Sequence, residues 1–141
     1  MRVRFAIATL ALALTTGCAT GLNSVQKAEL DHYEARGMAV QEKNPGLGAG
    51  LGLLPGGGSF YGREYGFGVV NLLLWPLSIL WDPVSGYEAS RSINYQATRT
   101  HIERQRKKAL DELDAKLAGN EIDLKEYTLQ RRQVEERYTA Y

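Results

Sequence analysis

The chain has 141 residues, one domain's worth of polypeptide at most, so a multidomain enzyme is excluded. Its 17 basic and 16 acidic residues leave a formal net charge of +1, which argues against both a strongly basic nucleic-acid binder and an acidic disordered chain. A single cysteine excludes an intrachain disulfide and a metal site built from cysteines of one chain.

The position of that cysteine is informative. Met1 to Gly17 reads as a secretory signal: Arg2 and Arg4 supply a positive start, and Phe5 to Leu14 (FAIATLALAL) is an apolar run too short to span a bilayer. Leu14-Thr15-Thr16-Gly17-Cys18 resembles the lipobox of bacterial lipoproteins, with Thr15 where leucine is usual. The resemblance implies cleavage between Gly17 and Cys18, a thioether-linked diacylglycerol on Cys18, and a palmitate or similar chain on the new amine. Two or three acyl chains, at about 0.8 kcal/mol per buried methylene, anchor a protein stably where one does so marginally. Ala19 in place of an inner-membrane-retaining aspartate implies the periplasmic face of the outer membrane in a Gram-negative envelope. Cleavage removes two basic residues and leaves the mature chain near neutral.

Residues 18–44 are expected to form the acylated N-terminus and an amphipathic helix over Thr20 to Lys43. Asn23 is placed to cap it with Gln26 three residues on, Val25, Leu30, Tyr33 and Met38 form its apolar stripe, and Asn44-Pro45 ends it. Asp31, His32 and Glu34 are adjacent on that helix and diverge, so they do not make a metal site.

Residues 45–86 are expected to form a Gly-rich apolar hairpin. Asn44 to Gly62 and Tyr65 to Trp81 are uncharged arms around Arg63-Glu64, and 17 residues of helix at about 1.5 Å each reach about 26 Å, slightly short of a ~30 Å hydrocarbon core. Gly48 and Gly52 lie one turn apart, a spacing that lets helix backbones approach closely in lipid. The candidate membrane-hairpin residues are Pro55, Gly56, Gly58, Phe60, Tyr61, Leu73, Trp75 and Trp81, with Phe60, Tyr61 and Tyr65 near the tip and Trp81 and Tyr87 near the base. Pro55 to Gly62 (PGGGSFYG), with Gly66 and the Asn71-Leu72-Leu73-Leu74 run, resembles the P-G-x-G-x-F-Y core of TM2-like bacterial hairpin proteins, which implies two short membrane helices and no activity. Pro76 departs from that pattern and is expected to kink the second arm. A buried helical hairpin at the core of a soluble domain is the competing reading of this segment. Gly56-Gly57-Gly58-Ser59 lacks the Gly-Lys-Ser/Thr ending of a phosphate loop.

Asp82-Pro83-Val84-Ser85-Gly86 reads as a turn, and residues 87–141 as a C-terminal helical hairpin. Glu88 to Ala118 forms its first helix, with Ile102, Arg106, Ala109/Leu110, Leu113 and Leu117 at spacings of three and four. Gly119-Asn120 stops it, and Asp123 with Glu126 starts the second helix in capping-box fashion. The candidate association seam comprises Leu110, Leu113, Leu117, Leu124, Tyr127 and Val134, with Tyr138 continuing it. Leu110 to Tyr138 resembles SHOCT-type C-terminal modules, which implies an interaction or oligomerisation role. Arg99, Arg104, Arg106, Lys107 and Lys108 are offset by Glu103, Asp111, Glu112 and Asp114, as on a solvated helix face.

Catalytic side chains are sparse. The histidines are His32 and His101, Gly58-Ser59-Phe60 has no evident base, and no serine sits in a nucleophile elbow. The expectation is an all-α, non-enzymatic cell-envelope lipoprotein, without cofactor, metal or nucleic acid. It would be anchored in membrane lipid through Cys18, with a structural or assembly role through self-association or an envelope protein partner. A module that binds lipid or an envelope polymer is the alternative.

Overall fold

The computed structural model describes residues 21–140. The signal segment, Gly17 and Cys18 lie outside the described residues. The rest is helical, with no strand among the described residues: α1 (Ser24–Ala35), α2 (Pro45–Leu51), α3 (Gly57–Tyr61), α4 (Tyr65–Leu73), a 3-10 helix (Leu77–Leu80), α5 (Asp82–Ala118) and α6 (Leu124–Tyr138). The chain divides into two compact units. Among the described residues, an apolar unit takes 21–23 and Asn44–Arg91, and a charged unit takes Ser24–Lys43 and 92–140, so α5 runs from one into the other.

Three boundaries differ from the sequence expectation, each for a local reason. The first helix ends at Ala35 rather than near Lys43 because Gly37 adopts a left-handed φ of 66°. The Met38 amide then donates to the Tyr33 carbonyl (2.9 Å) and the Gly37 amide to the Glu34 carbonyl (3.0 Å), which closes the helix as a Schellman motif. Asp82 to Gly86 is the start of α5 and not a turn. Pro83 is tolerated there because first-turn amides have no intrahelical acceptor to lose. The expected pair of apolar arms is instead three short α-helices and a 3-10 helix. The second arm breaks around Pro76, and α4 has only 9 residues. No helix among the described residues is long and apolar enough to cross a membrane.

The C-terminal signals were legible. The α5 helix stops at Ala118, with Asn120 left-handed (φ 55°) and the Glu121 amide donating to the Lys116 carbonyl (2.9 Å). Asp123 caps α6 by accepting from the Glu126 amide at 2.7 Å.

The charged unit has a conventional interior of Leu30, Tyr33, Tyr95, Ile102 and Leu113. Helix α1 is fixed to α5 by the Tyr95 hydroxyl donating to Glu29 (2.8 Å), and to the end of α6 by the Tyr33 hydroxyl donating to the Tyr138 carbonyl (3.2 Å). Burial first, then the Glu29 carboxylate, pushes the Tyr33 phenol up; at Tyr95 burial again leads, followed by the hydrogen bond to Glu29. Residues 38–43, which have no helical ladder of their own, are held by two α5 side chains one turn apart. The Asn94 carboxamide accepts from the Lys43 amide and donates to the Lys43 carbonyl, both at 2.8 Å, and Thr98 Oγ1 accepts from the Val40 amide at 2.9 Å.

Candidate functional site

The apolar unit has an inverted composition. Its fully buried side chains are Ser59, Asn71, Ser78, Asp82 and Ser90, and buried glycines fill the positions between them. Apart from Leu22, which is buried, most of its large apolar side chains face outward: Leu73 is 78% exposed, Leu80 79%, and Leu53, Leu54, Val69, Leu72, Trp75, Leu77 and Val84 are exposed with them.

Glycine makes that interior possible by allowing backbone to touch backbone. A Cβ at Gly48 would collide with the Gly86 carbonyl oxygen, and one at Gly86 with the Gly48 carbonyl oxygen. One turn along α2, a Cβ at Gly52 would strike Pro83, and in the next helix a Cβ at Gly58 would meet the Asp82 carbonyl. The expected Gly48/Gly52 spacing therefore serves close packing, but the surface it meets is the start of α5.

At the centre sits a buried carboxylate. Asp82 is 0% exposed and accepts four hydrogen bonds: from the Gly58 amide on Oδ2 (3.0 Å), and on Oδ1 from the Ser59 amide (3.1 Å), the Ser59 hydroxyl (2.5 Å) and the Asn71 Nδ2 (2.7 Å). Asn71 Nδ2 also reaches Ser59 Oγ (2.9 Å), while its Oδ1 accepts from the Trp81 indole N–H (2.8 Å). The knot thus joins the start of α3, the last turn of α4 and the start of α5. An isolated carboxylate in an apolar setting is very costly, and multiple donors offset that cost. Burial, reinforced by the nearby Asp82 charge, pushes the Glu64 carboxyl above the ordinary glutamate range.

The network corrects one sequence reading: Ser59 does have a potential base, since Asp82 Oδ1 lies 2.5 Å from its hydroxyl. Both groups are completely buried, however, and the serine hydroxyl faces Asp82 and Asn71 rather than a cleft. As arranged, the pair joins structural elements. Among the described residues, no group of three or more His, Cys, Asp or Glu gathers as a metal site.

Of the other candidate hairpin residues, Gly56 and Gly58 are buried, Tyr61 is half-buried with its hydroxyl accepting from the Asn44 amide (3.0 Å), and Pro55, Phe60, Leu73, Trp75 and Trp81 are exposed. In the candidate seam, Leu113 is buried within the chain, at 6% exposure. Leu110, Leu117, Tyr127 and Val134 are half-buried, and Leu124 stands 69% exposed. The Tyr127 hydroxyl donates to Asp114 (2.7 Å), linking α6 to α5.

Sequence reasoning missed Asp82, Asn71 and Ser59 as a set. A signal was present: each is a polar residue embedded in or ending an uncharged run, and such residues tend to find one another when water is excluded. Comparison with protein families, curated proteins and solved structures yields no match to this chain.

Proposed function

We propose that this chain is a non-enzymatic cell-envelope lipoprotein, anchored through acylated Cys18 at the periplasmic face of the outer membrane, with a structural or assembly role. The apolar unit associates with the membrane, while the charged unit offers its helices for association with a second copy or an envelope protein. The observation that supports this reading is the inverted apolar unit, with Asp82, Asn71 and Ser59 inside and Leu73, Trp75 and Leu80 outside. Water disfavours that arrangement at about 25 cal/mol per Å² of apolar surface left exposed, a cost that a hydrocarbon environment removes. The lipobox resemblance at Leu14 to Cys18 supplies the anchor, and the exposed Leu124 and Leu129 on α6 give the charged unit apolar points of contact.

Metabolic labelling with palmitate tests the anchor. The wild-type protein should incorporate label and fractionate with outer membranes, whereas Cys18→Ser should be unlabelled and retain its signal. A Cys18→Ser protein that is still cut at the same bond and labelled overturns the assignment. Photocrosslinking from Leu124 and Leu129 in intact cells then tests association. Discrete adducts with a second copy or an envelope protein are expected, and adducts with lipid alone would favour the lipid-binding module.

A further inference from the structure

We propose that the apolar unit is a second membrane attachment, independent of the acyl chains, which embeds α4 and the 3-10 helix in one leaflet without spanning the bilayer. This rests on the envelope-lipoprotein reading and adds the mode and depth of membrane contact.

The short elements set the depth. At about 1.5 Å per residue, the 9 residues of α4 extend about 13 Å, within the ~15 Å that is half of a hydrocarbon core. The charge pattern sets the direction. Arg63 and Glu64 precede α4, whereas from Tyr65 through Trp81 the chain carries no charged residue. The exposed leucines cluster at the far end of α4 and beyond, so Leu73, Leu74, Leu77 and Leu80 enter first and Arg63-Glu64 stays near the headgroups.

The interior is compatible with lipid because the carboxylate and carboxamide at its centre are paired internally, although the buried Ser78 Oγ has no hydrogen-bond partner. Asp82 and Asn71 take their partners from Gly58, Ser59 and Trp81, so their polar atoms do not depend on water. The anchor identifies lipid as the occupant. Cys18 lies three residues before Gly21, and three residues reach about 11 Å at most. Gly21 belongs to the apolar unit and abuts the Glu88 side chain, so acyl chains on Cys18 hold this unit at the lipid surface. A second copy or an envelope protein would have to compete with lipid at that distance.

The chain's two tryptophans, Trp75 and Trp81, both lie on the proposed surface and report its environment directly. The full mature chain carrying Cys18→Ser, exported through an ordinary cleavable signal, is mixed with sealed phosphatidylethanolamine and phosphatidylglycerol vesicles containing acyl-brominated lipid. Tryptophan emission should shift to the blue and be quenched by the bromines. The paired variant Leu73→Asp/Leu77→Asp should partition at least about tenfold more weakly, with circular dichroism checking that its helix content is retained. In the same Cys18→Ser background, a Leu73→Cys thiol should be protected from an impermeant maleimide on either side of the vesicle, while a Gln105→Cys thiol reacts from outside.

Labelling of Leu73→Cys by reagent sealed inside the vesicles would show that the segment spans, and would overturn the proposal. So would unquenched tryptophans, or a lipid-free oligomer that buries them. Palmitate labelling of the wild type is scored separately, so loss of the anchor and loss of this attachment are distinguishable.

Discussion

The two units reach order by opposite routes. In the charged unit, large side chains such as Leu30 and Ile102 are inside, and the helix surfaces carry ion pairs four residues apart, among them Arg99–Glu103, Lys107–Asp111 and Arg132–Glu136. In the apolar unit, glycines and polar groups, most of them hydrogen-bonded, are inside together with Leu22 and Ala89, and the leucines of α4 and the 3-10 helix are largely outside. The first arrangement draws on the hydrophobic effect in water, and the second on close backbone packing and hydrogen bonds, which retain their strength where water is absent. The contrast teaches that one short chain can combine two kinds of interior, one of large apolar side chains and one of closely packed backbone and polar groups.

The largest expected effect lies in the conventional core. Leu113→Ala should cost about 2–5 kcal/mol. Because Leu113 is already covered within one chain, the loss measured by urea unfolding should be independent of protein concentration. A loss that grows on dilution would instead place Leu113 in an interface between chains.

Asp82→Ala should destabilise the apolar unit by about 2–4 kcal/mol, since it leaves the Gly58 and Ser59 amides and the Asn71 carboxamide with a missing acceptor. Trp81, whose indole bonds to Asn71, supplies a fluorescence readout in detergent micelles, and an unchanged transition would refute the role of the knot.

Glycine substitutions sharpen the comparison. Gly86→Ala should cost about 1–3 kcal/mol, because its methyl group would meet backbone that cannot rotate away. Gly50→Ala meets nothing within 4 Å and should stabilise α2 by up to about 1 kcal/mol. Thermal melts of the two variants should therefore move in opposite directions.

The smallest effects are electrostatic. The exposed Arg132–Glu136 pair should be worth only about 0.3–0.5 kcal/mol in a double-mutant cycle. In the apolar unit, the folded state raises the Glu64 pKa, so between the unfolded and folded values the native state binds more protons and stability falls as pH rises. That decline should begin at the ordinary glutamate range. Glu64→Gln should flatten it in pH-dependent melts followed by Trp75 and Trp81.

Helix ends and types were legible in the sequence where a local residue decides them. Gly119-Asn120 and Asp123 with Glu126 act within one turn, and the structure has both boundaries there. Gly37 carried the same kind of signal, but the apolar residue Met38 beyond it drew the expected helix onward; Met38 in fact supplies the amide that closes the Schellman motif. The all-α class followed from helical spacing and capping signals. What packs on Gly48 and Gly52 was not legible, because a glycine stripe permits close approach without naming a partner. The carboxylate knot was missed for a related reason. Its members are 11 to 24 residues apart in sequence, and Asp82-Pro83 has a strong local reading as a turn that the fold overrides.

The pairing of Asn94 and Thr98 with residues 40–43 also governs how the protein can be cut. A protease must draw a stretch of substrate backbone into its cleft and form its own hydrogen bonds to it. The connection from α1 to α2 offers little for this, because the Lys43 amide and carbonyl and the Val40 amide already have side-chain partners. Though it lacks regular secondary structure and leads from one unit to the other, it should survive limited digestion.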